Sequence, residues 1–297
     1  MKRLLRFGSL IAVVALVAAL FAACSSDKDS GSGGSSNGKT KVAFVYVGPV
    51  GDAGWTKRHD DGRKYLQQQL GDKVETTFLE KVPEGAKSEA TFERLAREGN
   101  KVIFATSFGY GDAIFKVAKK YPDVKFEWAT GYKTAKNVGT YFGAAEEGRY
   151  LSGIAAGAAS TSGKIGYVAA FPIPEVLRGI NAFTLGAQSV NPNATVQVVW
   201  TSTWFGPEKE KQAAESLRDA GVDVLSQHQD SPATGQVAEA AGLKWVGYND
   251  DLERFAPTAW LTGAVWDWGP FYIATTKSVL AKSWKADQYY GTIADGL

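Results

Sequence analysis

From Lys41 onward, short apolar runs alternate with longer amphipathic ones, and the alternation runs twice. "KVAFVYV" (41–47), "KVETTFLE" (73–80), "KVIFATS" (101–107), "VKFEWAT" (124–130) and "VGTYFG" (138–143) read as strands. Helices are expected between the first four, at 55–70, 85–99 and 111–122, the last stopped before Pro122. A small-residue helix, 146–160, follows; its Gly/Ala face suits close packing on a sheet, and it is too short and polar to span a bilayer. The pattern then restarts near Lys164. Strands 164–170, 195–200, 222–227, 243–249 and 259–266 interleave with helices 174–190, 207–221, 231–242 and 269–284. Strands alternating with helices imply βαβ units and parallel sheets. Two such series imply two α/β lobes with a cleft between them.

In open parallel sheets, ligands bind beyond the carboxyl ends of the strands, so those ends are where function should lie. After 41–47 stands "GPVGDAGW", with Asp52 and Trp55. After 101–107 come Phe108, Tyr110 and Asp112; after 164–170, Phe171 and Glu175; after 195–200, Trp204 and Phe205. Later ends carry His228, Gln229 and Asp230, then Asn249, Asp250 and Asp251, then Trp266, Asp267 and Trp268. Large aromatics in loops are not needed for a core, although they also serve lobe packing and loop anchoring. Stacked aromatics bind flat, π-rich ligands well. Carboxylates and carboxamides beside them read the hydrogen-bonding edge of a heterocycle. Trp55 with one of Phe108, Phe171 or Trp204 would cover two faces of such a ring. Asp230 and Asn249, with Asp52, Gln229 or Asp250, would read its edge, and Trp266 would close the set. Asp52 is the least certain of these, because it also suits holding the turn.

Other chemistries find little support. The glycine-rich "GPVGDAG" is neither G-x-G-x-x-G nor a phosphate-binding loop, since no Gly-Lys-Ser/Thr follows. "NDDLERF" lacks calcium-loop spacing. The two histidines, His59 and His228, are too few for a His-rich metal centre, and no G-x-S-x-G motif is present. His59, early in a helix, is expected to be solvated. No enzyme activity, metal or cofactor is expected. Without Lys2, Arg3 and Arg6 the chain holds 30 basic against 31 acidic residues, so a nucleic-acid partner is not expected.

The N-terminus reads as an address. "MKRLLRFGSLIAVVALVAALFAAC" has a basic start, an apolar centre and small residues before Cys24, the pattern of a signal peptide over 1–23. The cysteine is the only one in the chain, which excludes an internal disulfide. Its setting resembles a bacterial lipobox, although Phe21 stands where leucine is usual. Cys24 would then carry the lipid that holds the protein at the extracytoplasmic membrane face. Residues 24–40, rich in Ser and Gly, read as a flexible tether.

Taken in order, "KVAFVYVGPVGDAGWT", "ATSFGYGDAI", "FPIPEVLRGINAF", "TWFGPEKEKQAAESL", "QHQDSPA" and "GYNDD" resemble the BMP family of lipoproteins, the solute-binding components of ABC importers. The resemblance runs from about Lys41 to the C-terminus. It implies a type I periplasmic-binding-protein fold: two doubly wound parallel-sheet lobes joined by a hinge, closing on a ligand and docking on a permease as a monomer. The lobes would be 41–145 and 146–257, with 258–297 crossing the hinge and returning to the N-terminal lobe. Family members bind purine nucleosides. "GDAGW" in place of "DKSFN", and "WDWG" where the nucleoside branch carries a ribose-side lysine, imply a free nucleobase such as adenine. A ligand sensor of the same fold is the alternative role. The family continues through another strand and a tail after the last helix. The stop at "ADGL" reads as a truncated or divergent end.

Overall fold

The computed structural model describes residues 38–297. The expectations for the signal segment, for Cys24 and for nearly all of the tether lie outside the described residues. Eleven strands form two parallel sheets. The first sheet contains β1 (Thr40–Val45), β2 (Val74–Leu79), β3 (Val102–Ala105), β4 (Lys125–Ala129), β5 (Val138–Gly143) and β11 (Gln288–Gly291), in the order β11-β5-β4-β3-β1-β2. The second contains β6 (Lys164–Ala169), β7 (Thr195–Trp200), β8 (Val224–Gln227), β9 (Lys244–Asn249) and β10 (Trp260–Val265), in the order β10-β9-β8-β6-β7. Every strand–strand pairing is parallel. Each lobe is therefore doubly wound, as the alternation predicts.

Eight α-helices cover these sheets: α1 (Trp55–Leu70), α2 (Glu89–Arg97), α3 (Gly111–Lys120), α4 (Ala145–Ala159), α5 (Pro174–Val190), α6 (Pro207–Asp219), α7 (Ala233–Ala241) and α8 (Gly269–Leu280). The central strands are apolar throughout because both faces are covered. In β1, Phe44 stacks on its β3 partner Phe104 at 4.8 Å, and Tyr272 of α8 stands edge-on to Phe44 at 5.0 Å. Ala43 and Val45 face the other way, toward Phe92 of α2 and Ile114 of α3. In the second sheet, Val168 and Leu225 pack under α6 and α7, while Ile165 and Tyr167 pack under α4 and α5. Burying each large apolar side chain is worth about 1.5–3 kcal/mol.

The small-residue helix behaves differently from expectation. The closest approach of α4 is to a helix, α5, and not to a sheet. A Cβ on Gly153 would stand 2.0 Å from the Phe183 carbonyl oxygen, and one on Gly186 would stand 2.0 Å from that of Tyr150. Gly153→Ala should force the two helices apart and cost about 1–3 kcal/mol. A clearly lowered thermal midpoint checks this.

The chain passes from the first sheet to the second after β5, at Gly143 and Ala144. It returns after β10, at 266–268, beyond position 257, where the second lobe is expected to end. α8 then packs beside α1, and β11 pairs with β5, Tyr290 opposite Phe142. "QYYG" is thus a strand after the last helix. Its four residues are too short for periodicity to announce them. Glu127 of β4 lies near this edge, 2% exposed, and Oε1 accepts from the Trp284 indole at 2.7 Å. Burial pushes its carboxyl up to about 8; the indole bond opposes the rise and the Asp287 charge adds to it. The folded chain holds this proton more tightly than the unfolded chain. Its contribution to stability is therefore intact below the ordinary value of 4.5 and is lost as pH rises toward 8. Glu127→Gln should flatten the fall in thermal midpoint between about pH 5 and about pH 8; parallel profiles would contradict this.

Candidate functional site

In each sheet the winding direction reverses beside the first strand of the series, between β1 and β3 and between β6 and β8. A crevice opens at such a point, beyond the carboxyl ends of the strands. The two crevices face one another, and residues from both line one shared cavity. The first lobe supplies Val47, Trp55, Thr106, Ser107, Phe108 and Thr130. The second supplies Glu175, Trp204, His228, Asp230, Tyr248 and Asn249.

The aromatic walls are held by their polar ends. The Trp55 indole N–H donates to the Thr106 carbonyl at 2.7 Å, and its ring stands edge-on to His59 at 4.2 Å and to Trp268 at 5.7 Å. The Trp128 indole donates to the Ser107 carbonyl at 3.0 Å and to that of Phe108 at 3.2 Å. Trp204 donates to Glu84 Oε2 at 3.2 Å across the cleft. Each ring keeps an apolar face without leaving its N–H unpaired, and that suits a stacking plate.

The polar groups lie deeper. Asp230, 5% exposed, accepts from Asn249 Nδ2 at 2.9 Å. Asn249 Oδ1 accepts in turn from the Trp266 indole at 3.0 Å. The Asn249 backbone is left-handed, φ +72°, which asparagine tolerates better than most residues. Burial raises the Asp230 carboxyl well above the carboxylate range; the Asp52 and Glu210 charges add to this and the Trp55 amide opposes it. Burial also pushes Glu175 up to about 7, against the Arg178 and Arg149 charges. It holds His228 well below the usual imidazole value, with Arg149 adding to the effect. Arg149 is fully buried on α4, its guanidinium 3.6 Å above the Tyr248 ring, and it donates to the Gln227 carbonyl at 2.6 Å.

Of the residues singled out from sequence, Trp55, Phe108, Glu175, Trp204, His228, Asp230 and Asn249 meet in this cavity. The other ligand-reading candidates do not line it. Asp52 accepts from the backbone N–H groups of Gly54, Thr56 and Lys57 at 2.9, 2.8 and 3.0 Å, so it holds the entry to α1. The Gln229 amide donates to the Thr203 carbonyl at 3.2 Å and to the Thr201 hydroxyl. Asp250 pairs across the cleft with Lys57 at 2.9 Å and with Arg58 at 3.5 Å. Phe171 braces the edge of Trp204 at 5.0 Å. Trp266 lies behind Asn249, stacked on Trp268 at 4.9 Å. His59 is not solvated: α8 covers it, its Nδ1 meets the Tyr272 hydroxyl, and its ring stacks on Trp268 at 4.8 Å.

Glu84 is the residue the sequence reading missed most clearly. Oε1 accepts from the Ser107 hydroxyl at 2.5 Å and from the Gly109 amide at 2.9 Å, while Oε2 takes the Trp204 indole. It stands after β2, a strand end like the others, and the same rule would have found it. His228, Tyr248 and Thr130 also stand at strand ends.

Two sheet-built lobes, each bringing its strand ends to one enclosed cavity, define a solute-binding protein of the type I periplasmic class. Residues 39–297 match the family model of the ABC transporter substrate-binding proteins described as PnrA-like. The chain belongs to this Bmp family, whose members bind solutes for ABC transporters and are not enzymes. It is 53% identical over 259 residues to a purine-binding protein of Brucella abortus, covering 87% of this chain and 74% of that one. It is 46% identical over 266 residues to a Haloferax volcanii protein provisionally named an ABC transporter glucose-binding protein, covering 89% and 68%. A solute-binding protein of an ABC transporter system from Aeropyrum pernix shares the fold, with a TM-score of 0.77 at 21% identity over 86% of this chain and 75% of that one.

If Asp52 caps α1, Asp52→Ala should lower stability by about 1–2 kcal/mol, because three amides lose their acceptor. An unchanged midpoint in thermal unfolding would contradict the assignment.

Proposed function

We propose that this protein captures a purine for an ABC importer, a free nucleobase such as adenine in preference to a nucleoside. The observation that carries the reading is the cavity between the lobes, where Trp55, Phe108 and Trp204 surround the buried Asp230–Asn249 pair. A purine has two apolar faces and a polar edge. Each aromatic stack contributes about 1–3 kcal/mol, and a carboxyl that accepts from the ring edge adds discrimination, since losing that bond leaves a buried group unpaired. The 53% identity to a purine-binding protein supports the same class.

Closure in this reading is a rotation of one lobe, built on β1–β5 and β11, against the other, built on β6–β10, about the two crossings at 143–144 and 266–268. The bonds from Glu84 to Trp204 and from Lys57 and Arg58 to Asp250 span the cleft and would form as it shuts. The shut form would dock on the permease. The protein would act as a monomer, lipidated at Cys24 and tethered by residues 24–40 to the outer membrane face. A sensor of the same fold would use the same cleft and pass occupancy to a signalling partner.

One observation favours a nucleoside as the second reading. A larger groove adjoins the cavity and shares Phe108, Thr130 and Glu175 with it, so a ring substituent has somewhere to go. Calorimetric titration with adenine, guanine, hypoxanthine, xanthine, adenosine, guanosine and glucose separates these readings. Adenine should bind tightest and glucose not at all. Heat from glucose alone, or from none, overturns the purine reading, and adenosine binding more tightly than adenine overturns the nucleobase reading. Trp55→Ala should weaken binding by about tenfold or more without unfolding the protein. Unchanged affinity in the folded variant would remove Trp55 from the site.

A further inference from the structure

We propose that Glu175, with His228 beside it, is a second hydrogen-bond reader in the cavity, so that the ligand must present an amine and not a carbonyl oxygen at the edge that meets Glu175, as adenine does at its 6-position and hypoxanthine does not. This rests on the purine reading and narrows it. Glu175 stands in the first turn of α5, after Pro174. Asp230 follows β8 on a different loop. Both line the same cavity.

The argument turns on which polar groups in the wall are still free. The Thr106 hydroxyl donates to the Val45 carbonyl at 3.0 Å. The Ser107 hydroxyl donates to Glu84 at 2.5 Å, and that of Thr130 donates to the Ala129 carbonyl at 2.6 Å. Asn249 is engaged at both ends, as giver to Asp230 and as acceptor from Trp266. Trp55 and Trp204 have already placed their indole protons. Of these side chains only Asn249, through its second amide hydrogen, still has a donor to offer the cavity.

Two further atoms have no partner at all. Glu175 Oε2 is out of reach of solvent and bonded to nothing, and so is His228 Nδ1. His228 is 7% exposed, and its Nε2 lies 3.8 Å from Glu175 Oε1. Buried polar atoms are normally satisfied, and each left unpaired costs about 1–3 kcal/mol. Groups that stand unpaired in a wall whose other polar atoms are largely committed call for polar partners from the occupant. Adenine offers an exocyclic amine at one edge and a ring N–H at another. Hypoxanthine puts a carbonyl oxygen where the amine would be, and that oxygen would face carboxyl oxygens.

Field and geometry keep Glu175 in place. Pro174 fits the first helical turn, and the helix N-terminus favours a carboxylate there. The buried Arg149 guanidinium and Arg178 are both close enough to act on its charge. Glu175 and Asp230 in turn feel one another electrostatically.

The test is calorimetric titration of wild type, Glu175→Gln and Glu175→Ala with adenine and with hypoxanthine, each variant checked for an unchanged thermal midpoint. Wild type should prefer adenine by about tenfold or more. Glu175→Gln, nearly the same shape but with an amide donor, should lose about tenfold in adenine affinity and narrow the preference to about threefold or less. A folded Glu175→Gln that keeps both the wild-type affinity and the wild-type preference overturns the proposal while leaving the purine reading intact. Failure of every purine to bind wild type overturns the purine reading and this proposal with it. If neither variant folds, wild type still decides: hypoxanthine bound as tightly as adenine overturns the proposal.

Discussion

Both sheets are entirely parallel, and a parallel strand must be covered on each face. Helices therefore occupy the space above and below every central strand, and Phe44, Phe104 and Tyr272 become packing residues with no access to a ligand. Variation is left to the loops at the strand ends. Pairing two such sheets so that their crevices face one another concentrates twelve residues from seven strand ends around one cavity. The arrangement gives each lobe half a site and neither lobe a whole one.

That division explains why so many polar groups are committed before any ligand arrives. An enclosed cavity removes water from everything that lines it, so an indole or hydroxyl without a partner would destabilise the closed form. Trp55, Trp128 and Trp204 meet this demand by donating to carbonyls or to Glu84. Glu84 does so for both lobes at once, because it holds the loop at Phe108 and also receives the indole from the opposite wall. The cross-cleft pairs of Asp250 with Lys57 and Arg58 are partly open to solvent, and each contributes modestly.

The fold was legible in the sequence because strand runs and helical runs have different periods and different lengths. "PEVLRGINAFTLGAQSV" and "TVQVVW" fall on α5 and β7 with the same boundaries. β11 was not legible, since four residues establish no period, and the α4–α5 contact was not, since a Gly/Ala face does not say what approaches it. The site was legible as far as the strand-end rule reaches. It found Trp55, Phe108, Trp204, Asp230 and Asn249, and it overlooked Glu84 only because the end of β2 was passed over. Its candidates fall outside the cavity lining where a side chain of the right type already has a partner nearby. Asp52 and Gln229 have ligand-reading chemistry, but backbone amides engage the one and threonine oxygens the other. Composition does not reveal such commitments; they follow from where the chain turns. His59 shows the converse, a polar residue whose burial depends on a helix more than two hundred positions away in sequence.

The bond from Trp266 to Asn249 joins two things usually described apart. Trp266 opens the segment by which the chain leaves the second lobe, and Arg58 of the first lobe donates to its carbonyl at 2.6 Å. The same residue's indole fixes the carboxamide that orients Asp230. A change in lobe angle would therefore disturb the recognition floor directly, through two hydrogen bonds, with no intervening mobile element. Residence time and selectivity would then be hard to vary independently: a substitution that loosens the passage between lobes would also blur which molecule is held.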